Sequence, residues 1–534
     1  MNASWRLRAA LLVSLAAIVP YARTIDNYFV QDDFGVVWLL SQKPWTYFPR
    51  WFASTWMDDI WGYTPDEIRP FPAVTYQAAA VFGAASPAAN HVINIAFHAA
   101  NGVLVLAVAR AAAGLSAGAS LVAALVFVLL PFQSESVAWI TGRVDSMPAC
   151  FYLSSFLLYV RWRGAPERAR LYGGAVAMFI VALFTKQNAI TLGPAIVLYD
   201  LAGIRRPESG IRGPVSRRVL PYVPFVVLTL GYFALRYALF GEVARESQLT
   251  PANIGYFQEL VVRHLRRTVF GDVRFGSPRQ WGIVAGAVAV VIACAVRQGR
   301  EHAAWAARVA VYFGPIWWAL GVAPVVVAGY ESPRHIYLAA VGWAVIVGLA
   351  FHLLPRARPA WRAVSVAAAA AVIVFYGMQL VRSVHEWEVR SRVSERAVRD
   401  LEAEALRARA GTLIIAGAPI RSWEWAMSFI TRAPFVDPAV ERRVTVVTPW
   451  RLHCCRSDWD ARTRATLRDW LARGGGPIVV LRWDAESGTR FRLTTEEEPY
   501  LRPLLDVLLD TDSYVSLDRG ILTLLDRVPR DASQ

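Results

Sequence analysis

Apolar runs of bilayer length recur along this chain, and they constrain its fold more than any other feature. A membrane-crossing helix needs about 20 largely apolar residues. Runs approaching that length lie at 11–29, 93–109, 117–132, 147–160, 171–184 and 189–201, and again at 220–240, 281–296, 303–327, 336–354 and 364–381. The expectation is a polytopic α-helical membrane protein of about 11 spans with a smaller soluble part. Composition agrees: of 534 residues, 55% are hydrophobic and 18% charged, where a soluble domain carries about 25% charged residues. A disordered, collagenous or disulfide-stapled protein is excluded on these grounds, and the composition argues against a water-soluble enzyme. Four cysteines without paired metal-ligand spacing argue against a disulfide framework or a zinc site. The vicinal pair Cys454 and Cys455 reads equally as two thiols or as a strained disulfide.

The net charge of +15 does not mark a nucleic-acid binder. Residues 382–534 are nearly balanced, so the basic excess belongs to short loops between the apolar runs of the first 381 residues. That distribution follows the positive-inside rule and forms no continuous basic face. It sets the N-terminus in the cytoplasm and the long loops, about 31–90 and 241–280, on the outer side. The N-terminal run, with Arg6 and Arg8 before it, reads as an uncleaved first span. An odd number of spans places the C-terminus outside.

Two domains are expected. Residues 1–383 form the transmembrane module, with an interfacial outer loop at about 31–90. Residues 384–534 form an outer α/β domain: a charged helical connection over 387–409 precedes β-type runs at 411–419, 444–448 and 476–483. The segment 455–473 reads as a helix between them, and 514–528 as one or two more strands.

Chemistry concentrates on the outer side. Asp32 and Asp33 stand at the mouth of the first span, where desolvation raises a carboxylate pKa and suits it to general-base work. The bland alternative is two solvated aspartates at a helix end. The next 55 or so residues are dense in aromatics, among them Trp38, Trp45, Trp51, Trp56 and Phe71, as in segments that lie along a membrane interface. Asp58 and Asp59 repeat the acidic pair and read as solvated or acceptor-side groups ahead of metal ligands. On the second span His91, Asn94, His98 and Asn101 share one helical face, so bonds to neighbouring helices are favoured over substrate contact. Further outer charges are Glu135, Arg143 and Asp145, then Lys186 in a tight turn, then Glu331 and Arg334 before Tyr337. A guanidinium and an ammonium converging there suit a phosphate or pyrophosphate, while snorkelling to lipid headgroups is the competing reading. The segment with Arg263, His264, Arg266 and Arg267 reads as an interfacial helix.

Taken in order, Asp32-Asp33, Arg69-Pro70-Phe71-Pro72, His91-Val92-Ile93-Asn94 with His98 and Asn101, the run from Pro131 to Ile140 leading to Gly142-Arg143 and Asp145, Lys186, Tyr199-Asp200-Leu201 and Arg334-His335-Ile336-Tyr337-Leu338 form a recognisable set. The set resembles the GT-C superfamily of polyprenyl-phosphate-sugar-dependent membrane glycosyltransferases. Within it, the likeness is to the cadherin-type transmembrane O-mannosyltransferases and their bacterial relatives, over roughly residues 10–350. The resemblance implies sugar transfer from a lipid-linked donor in a cell membrane, with a bacterial inner membrane expected. It implies an Asp general base (Asp32 of the pair Asp32 and Asp33), inversion at the anomeric carbon, and no cofactor or divalent metal. Arg143, Lys186 and Arg334 would hold the lipid phosphate, with Arg69, His91, Asp145, Glu331 and Tyr337 completing the substrate site.

Two departures stand out. Gln187 follows Lys186 where the family has Glu, and the tetratricopeptide repeats of the cadherin-modifying enzymes are replaced by the α/β domain. The acceptor is therefore open among protein, glycan and lipid. The alternative functions are a transporter or flippase of lipid-linked sugars, which would be expected to show two related halves that this chain lacks, and a non-catalytic scaffold.

Overall fold

A computed structural model describes residues 3–57, 67–83, 86–204, 219–243, 250–357, 361–417, 429–447, 465–483 and 490–494. Asp58, Asp59, the cysteine pair and the run 514–528 lie outside the described residues. The first helix, α1 (Ala3–Ile18), continues through a 3-10 stretch, Val19–Asp26. The outer loop carries α2 (Asp33–Ser41) and α3 (Pro70–Ala80). Next come α4 (Pro87–Ala111), α5 (Ala117–Leu129), the short α6 (Ser134–Val137), α7 (Arg143–Arg163), α8 (Ala169–Leu183) and α9 (Leu192–Ala202). After these follow α10 (Val223–Phe240), α11 (Ile254–Phe270), α12 (Pro278–Arg297), α13 (Arg300–Val311), α14 (Trp317–Val327) and α15 (Ala340–Ala357). The long α16 (Trp361–Arg407) comes next.

Local chemistry sets several starts. The Ser86 hydroxyl accepts from the Ala89 N–H ahead of Pro87, and Ser277 with Gln280 forms a capping box ahead of Pro278. Both leave proline in the first turn, where its missing N–H costs nothing. All eleven predicted runs coincide with helices. Among the described residues, six helices have the length and apolarity to cross a membrane, or seven if α5 and the segment after it, bent by 52°, count as one. The helices α8 and α15 are apolar but short, and α7 carries Arg143 and Asp145 in its first turn and Arg161 and Arg163 in its last.

In a bilayer, helices associate through close packing, because lipid tails compete for apolar contact. Here α5 packs against α4 and α15, with Gly102 pressed so closely on Val13 and Val128 that an added Cβ would fall 2.7 and 2.5 Å from their side chains. A second core is separate from that of the helix bundle. It joins Phe29, Phe34 and Trp51 of the outer loop to Ala397, Val398 and Leu401 on α16, and these to Ile414, Val479 and Leu481 of a sheet.

That sheet has four strands in the order β2-β1-β3-β4. The strand β1 (Thr412–Gly417) runs parallel to β2 (Val444–Val447), with Thr412 opposite Val444, and to β3 (Ile478–Trp483), with Leu413 opposite Ile478. Antiparallel to β3 lies β4 (Arg490–Thr494), a strand the sequence pattern does not reveal. Helix α16 passes without a break through the expected boundary at 383/384.

Candidate active site

The site is built where the segment after the first span meets the α6–α7 turn. Gln31 has φ +56°, an uncommon conformation for a residue with a side chain. The turn is closed across it: the Val30 N–H donates to Asp33 Oδ2 at 3.0 Å, and the Asp33 N–H donates to the Val30 carbonyl at 3.2 Å. Backbone strain of this kind persists only where the surroundings over-determine it.

The two aspartates are thereby separated in role. Asp33 is 1% exposed, and its Oδ1 accepts from both the Thr141 N–H (2.9 Å) and the Thr141 hydroxyl (2.7 Å). Burial pushes its pKa up to about 7, against the pull of those donors. Asp32 keeps part of its surface open. Its deep setting raises its pKa to about 6, with Glu67 adding to the rise and Arg334 opposing it. A carboxylate poised near neutrality is suited to taking a proton from a hydroxyl.

Beside this pair lies a charge cluster drawn from three distant parts of the chain. Lys186 Nζ donates to Asp145 Oδ1, His335 Nδ1 stands 3.5 Å from the same oxygen, and Arg334 Nε lies 3.3 Å from Asp145 Oδ2. The Arg334 Nη1 donates to Glu135 Oε1 at 3.2 Å, and its guanidinium lies over the Trp139 ring at 4.5 Å. The field of Arg69 is felt at Lys186 as well as that of Arg334. Arg69 itself pairs with Glu67 at 2.8 Å and faces the Trp56 ring. A cavity of about 30 Å³ beside Asp145, Lys186 and His335 has room for about one water, so the cluster is closed on itself. An anion entering here would have to compete with Asp145 and Glu135 for the cations.

Asp32, Asp33, Arg69, Asp145, Lys186 and Arg334 thus occupy one neighbourhood, whereas four other expected residues depart from it. Arg143 is fully buried, and its fork is committed elsewhere. It donates to Asn94 Oδ1 (2.9 Å), Thr75 Oγ1 (2.8 Å), the Asn90 carbonyl (3.0 Å) and Asn90 Oδ1 (2.8 Å), above the Tyr76 ring. It ties α7 to α3 and α4 and leaves little for a phosphate. Glu331 turns outward to the Tyr256 hydroxyl (2.8 Å) and Arg263 (3.4 Å) on α11. The Tyr337 hydroxyl is engaged by His98 Nδ1 (2.8 Å) and the Asn101 amide (3.1 Å), although its ring lines the small cavity. His91 is buried near Asn27 and Arg143. The polar face of α4 therefore bonds within the bundle: Asn94 also donates to the Val137, Trp139 and Ile140 carbonyls.

Residues that the motif reading did not single out as site members are Glu135, Trp139, Thr141 and His335. Glu135, Trp139 and His335 fall inside the ordered motifs and Thr141 in the gap between two of them, which was the available signal. Among the described residues, no group of three or more His, Cys, Asp and Glu is placed to hold a metal ion.

No family model matches the chain. By sequence it is similar to protein O-mannosyl-transferase TMTC3 of Mus musculus, 29% identical over 203 residues, covering 36% of this chain and 21% of that protein. It is also 30% identical over 223 residues to TMTC4 of the same species, covering 36% of this chain and 29% of that one. The matches thus span less than a third of these relatives' length. By fold it is similar to the oligosaccharyltransferase of Archaeoglobus fulgidus, with a TM-score of 0.51 and 12% identity over 89% of this chain and 68% of that one. The likeness read from the ordered motifs agrees with these findings: the sequence is similar to O-mannosyl-transferases, and the fold is similar to that of the oligosaccharyltransferase.

Proposed function

We propose that this chain is a multi-pass membrane glycosyltransferase that moves a sugar from a polyprenyl-phosphate donor to an acceptor hydroxyl on the outer face of a cell membrane, with inversion. The N-terminus would lie in the cytoplasm and the sheet outside, in a bacterial inner membrane. The observation that carries this is the unequal acidic pair: Asp33 is pinned by three donors, while Asp32 stays partly open and within the field of Arg334. A carboxylate opposite a phosphate-suited cation is what such a transfer requires.

In this reading the Asp32 carboxylate takes the proton of the acceptor hydroxyl as its oxygen attacks the anomeric carbon. The bond from that carbon to the phosphate oxygen breaks on the opposite side, and the electron pair leaves with the lipid phosphate. Arg334 and Lys186 neutralise the charge that develops on the leaving group, which is the kind of electrostatic stabilisation that contributes most to transfer reactions. Asp33 acts as a positioning residue by closing the turn that carries Asp32. No resident cofactor or metal is invoked in this reading. The donor is membrane-borne, and the acceptor is a hydroxyl on a protein, a glycan or a lipid.

The test is transfer by purified protein in detergent from a panel of radiolabelled polyprenyl-phosphate sugars to a membrane extract. Asp32→Asn is expected to lose at least about 100-fold in rate, in the range typical of a missing general base, with donor binding retained. Asp33→Asn is expected to lose activity through misplacement of its neighbour. Transfer undiminished in Asp32→Asn would overturn the assignment, and transbilayer movement of the donor without turnover would favour a flippase.

A further inference from the structure

The outer half of α16 touches both sides of the site, although it lies about 360 residues from the acidic pair. The Tyr28 N–H donates to Ser391 Oγ at 2.6 Å, and the Ser394 hydroxyl donates to the Phe29 carbonyl at 2.6 Å. Both serines are buried, at 3% and 0% exposure, so these bonds are shielded from water. They hold an extended segment that ends at the strained Gln31 and leads directly into Asp32. One turn earlier on α16, Trp387 stacks on Trp139 with centroids 6.0 Å apart and rings within 9° of parallel. Trp139 supports the Arg334 guanidinium, and its Nε1 donates to the Val30 carbonyl at 3.2 Å.

We infer that Ser391, Ser394 and Trp387 are positioning residues of the transfer reaction: this stretch of α16 sets the spacing between the base Asp32 and the cation Arg334. The inference rests on the catalytic reading above. It goes further by assigning the outer C-terminal part of the chain a mechanical role in the chemistry. The serine pair fixes the segment before Asp32 from behind, and the tryptophan stack fixes Arg334 through Trp139, so one helix holds both partners. Phe435, which contacts Phe29 and Phe34 edge-on at 5.4 and 5.0 Å, closes the far side of the same segment.

The experiment compares wild type, Asp32→Asn, the double variant Ser391→Ala with Ser394→Ala, its hydroxyl-retaining counterpart Ser391→Thr with Ser394→Thr, and Arg399→Ala. Arg399 lies exposed on the same helix and pairs with Glu395, and its variant is expected to match wild type. Each is assayed for kcat, donor KM and pH profile, with thermal unfolding in detergent followed alongside.

The double alanine variant is expected to lose about 10- to 100-fold in kcat, since displacement of a reacting group by about 1 Å costs on that order. Its donor KM should change little. Its acid limb should move to higher pH, because Asp32 drifts from the Arg334 charge that lowers its pKa. The threonine variant is expected to recover most of the rate.

Transfer lost in Asp32→Asn but unchanged in the double alanine variant, in both kcat and pH profile, overturns this inference alone. A fall in kcat that tracks thermal stability and leaves the acid limb in place also overturns it. Transfer persisting in Asp32→Asn overturns the catalytic reading and this inference with it.

Discussion

Replacing Arg143 by Met separates a structural guanidinium from a phosphate ligand. The side chain makes four hydrogen bonds to neutral acceptors inside the protein and stacks 4.2 Å from the Tyr76 ring. Methionine fills similar volume but donates nothing. Two side-chain amide oxygens, Asn90 Oδ1 and Asn94 Oδ1, then lose these donors, at about 1–3 kcal/mol each. Thr75 suffers less, because its hydroxyl still donates to the Pro72 carbonyl. Removing a buried charge relieves a desolvation cost, which offsets part of the loss. The net expectation is a destabilisation of about 2–4 kcal/mol. It should be visible as earlier unfolding in an SDS titration from detergent micelles, with α3 and α4 loosened together. Donor KM, measured at a temperature where both proteins are folded, should change less than about threefold, equivalent to about 0.6 kcal/mol. Unaltered unfolding together with a donor KM raised tenfold or more would refute the reasoning and make Arg143 a phosphate ligand.

Two further outcomes follow from the site geometry. A base works only when ionised, so transfer should fall on acidification with a midpoint near Asp32's pKa of about 6. Arg334→Gln, which removes the charge holding that pKa down, should move the limb to higher pH in whatever activity remains; a wild-type profile flat from about pH 5 to 8 would contradict the base assignment. At Gly142, an added Cβ would meet the Glu135 carbonyl oxygen at 2.1 Å. Gly142→Ala should therefore push the α6 turn and its Glu135 away from Arg334, at about 1–3 kcal/mol in stability and with weakened donor binding. Wild-type behaviour in both thermal unfolding and donor KM would show that the turn gives way freely.

The helices were legible because bilayer thickness imposes a length and an apolarity that few other folds need. Their crossing status was less so: α7 begins with Arg143, which ties it to α3 and α4, and with Asp145, which joins the charge cluster. The shared face of His91, Asn94, His98 and Asn101 was readable from helical periodicity, and so was its use in bonds between helices. What periodicity does not carry is which charges meet. Lys186 and Arg334 reach Asp145 across 41 and 189 residues, and only the order of the motifs pointed to their convergence. Arg143 and Glu331 carried the same charged-near-the-interface signal, yet one is consumed by Asn90 and Asn94 and the other by α11. Ser391 and Ser394 left no trace, because small hydroxyls in a charged helical stretch resemble solvated positions. The strand β4, Arg-Phe-Arg-Leu-Thr, was hidden by its brevity and its arginines.

The bonds from Tyr28 to Ser391 and from Ser394 to Phe29 span 363 and 365 residues. Synthesis proceeds at about 5–20 residues per second, so the acidic pair emerges some tens of seconds before the helix that secures it. During that interval the first outer turn lacks its brace while membrane insertion continues behind it. The nascent chain therefore acquires a fully assembled site late, once α16 has been made and has docked. Truncation upstream of α16 would leave a bundle whose first turn lacks the bonds from Ser391 and Ser394. The separation in sequence between two serines and the segment they hold thus dates the completion of this turn.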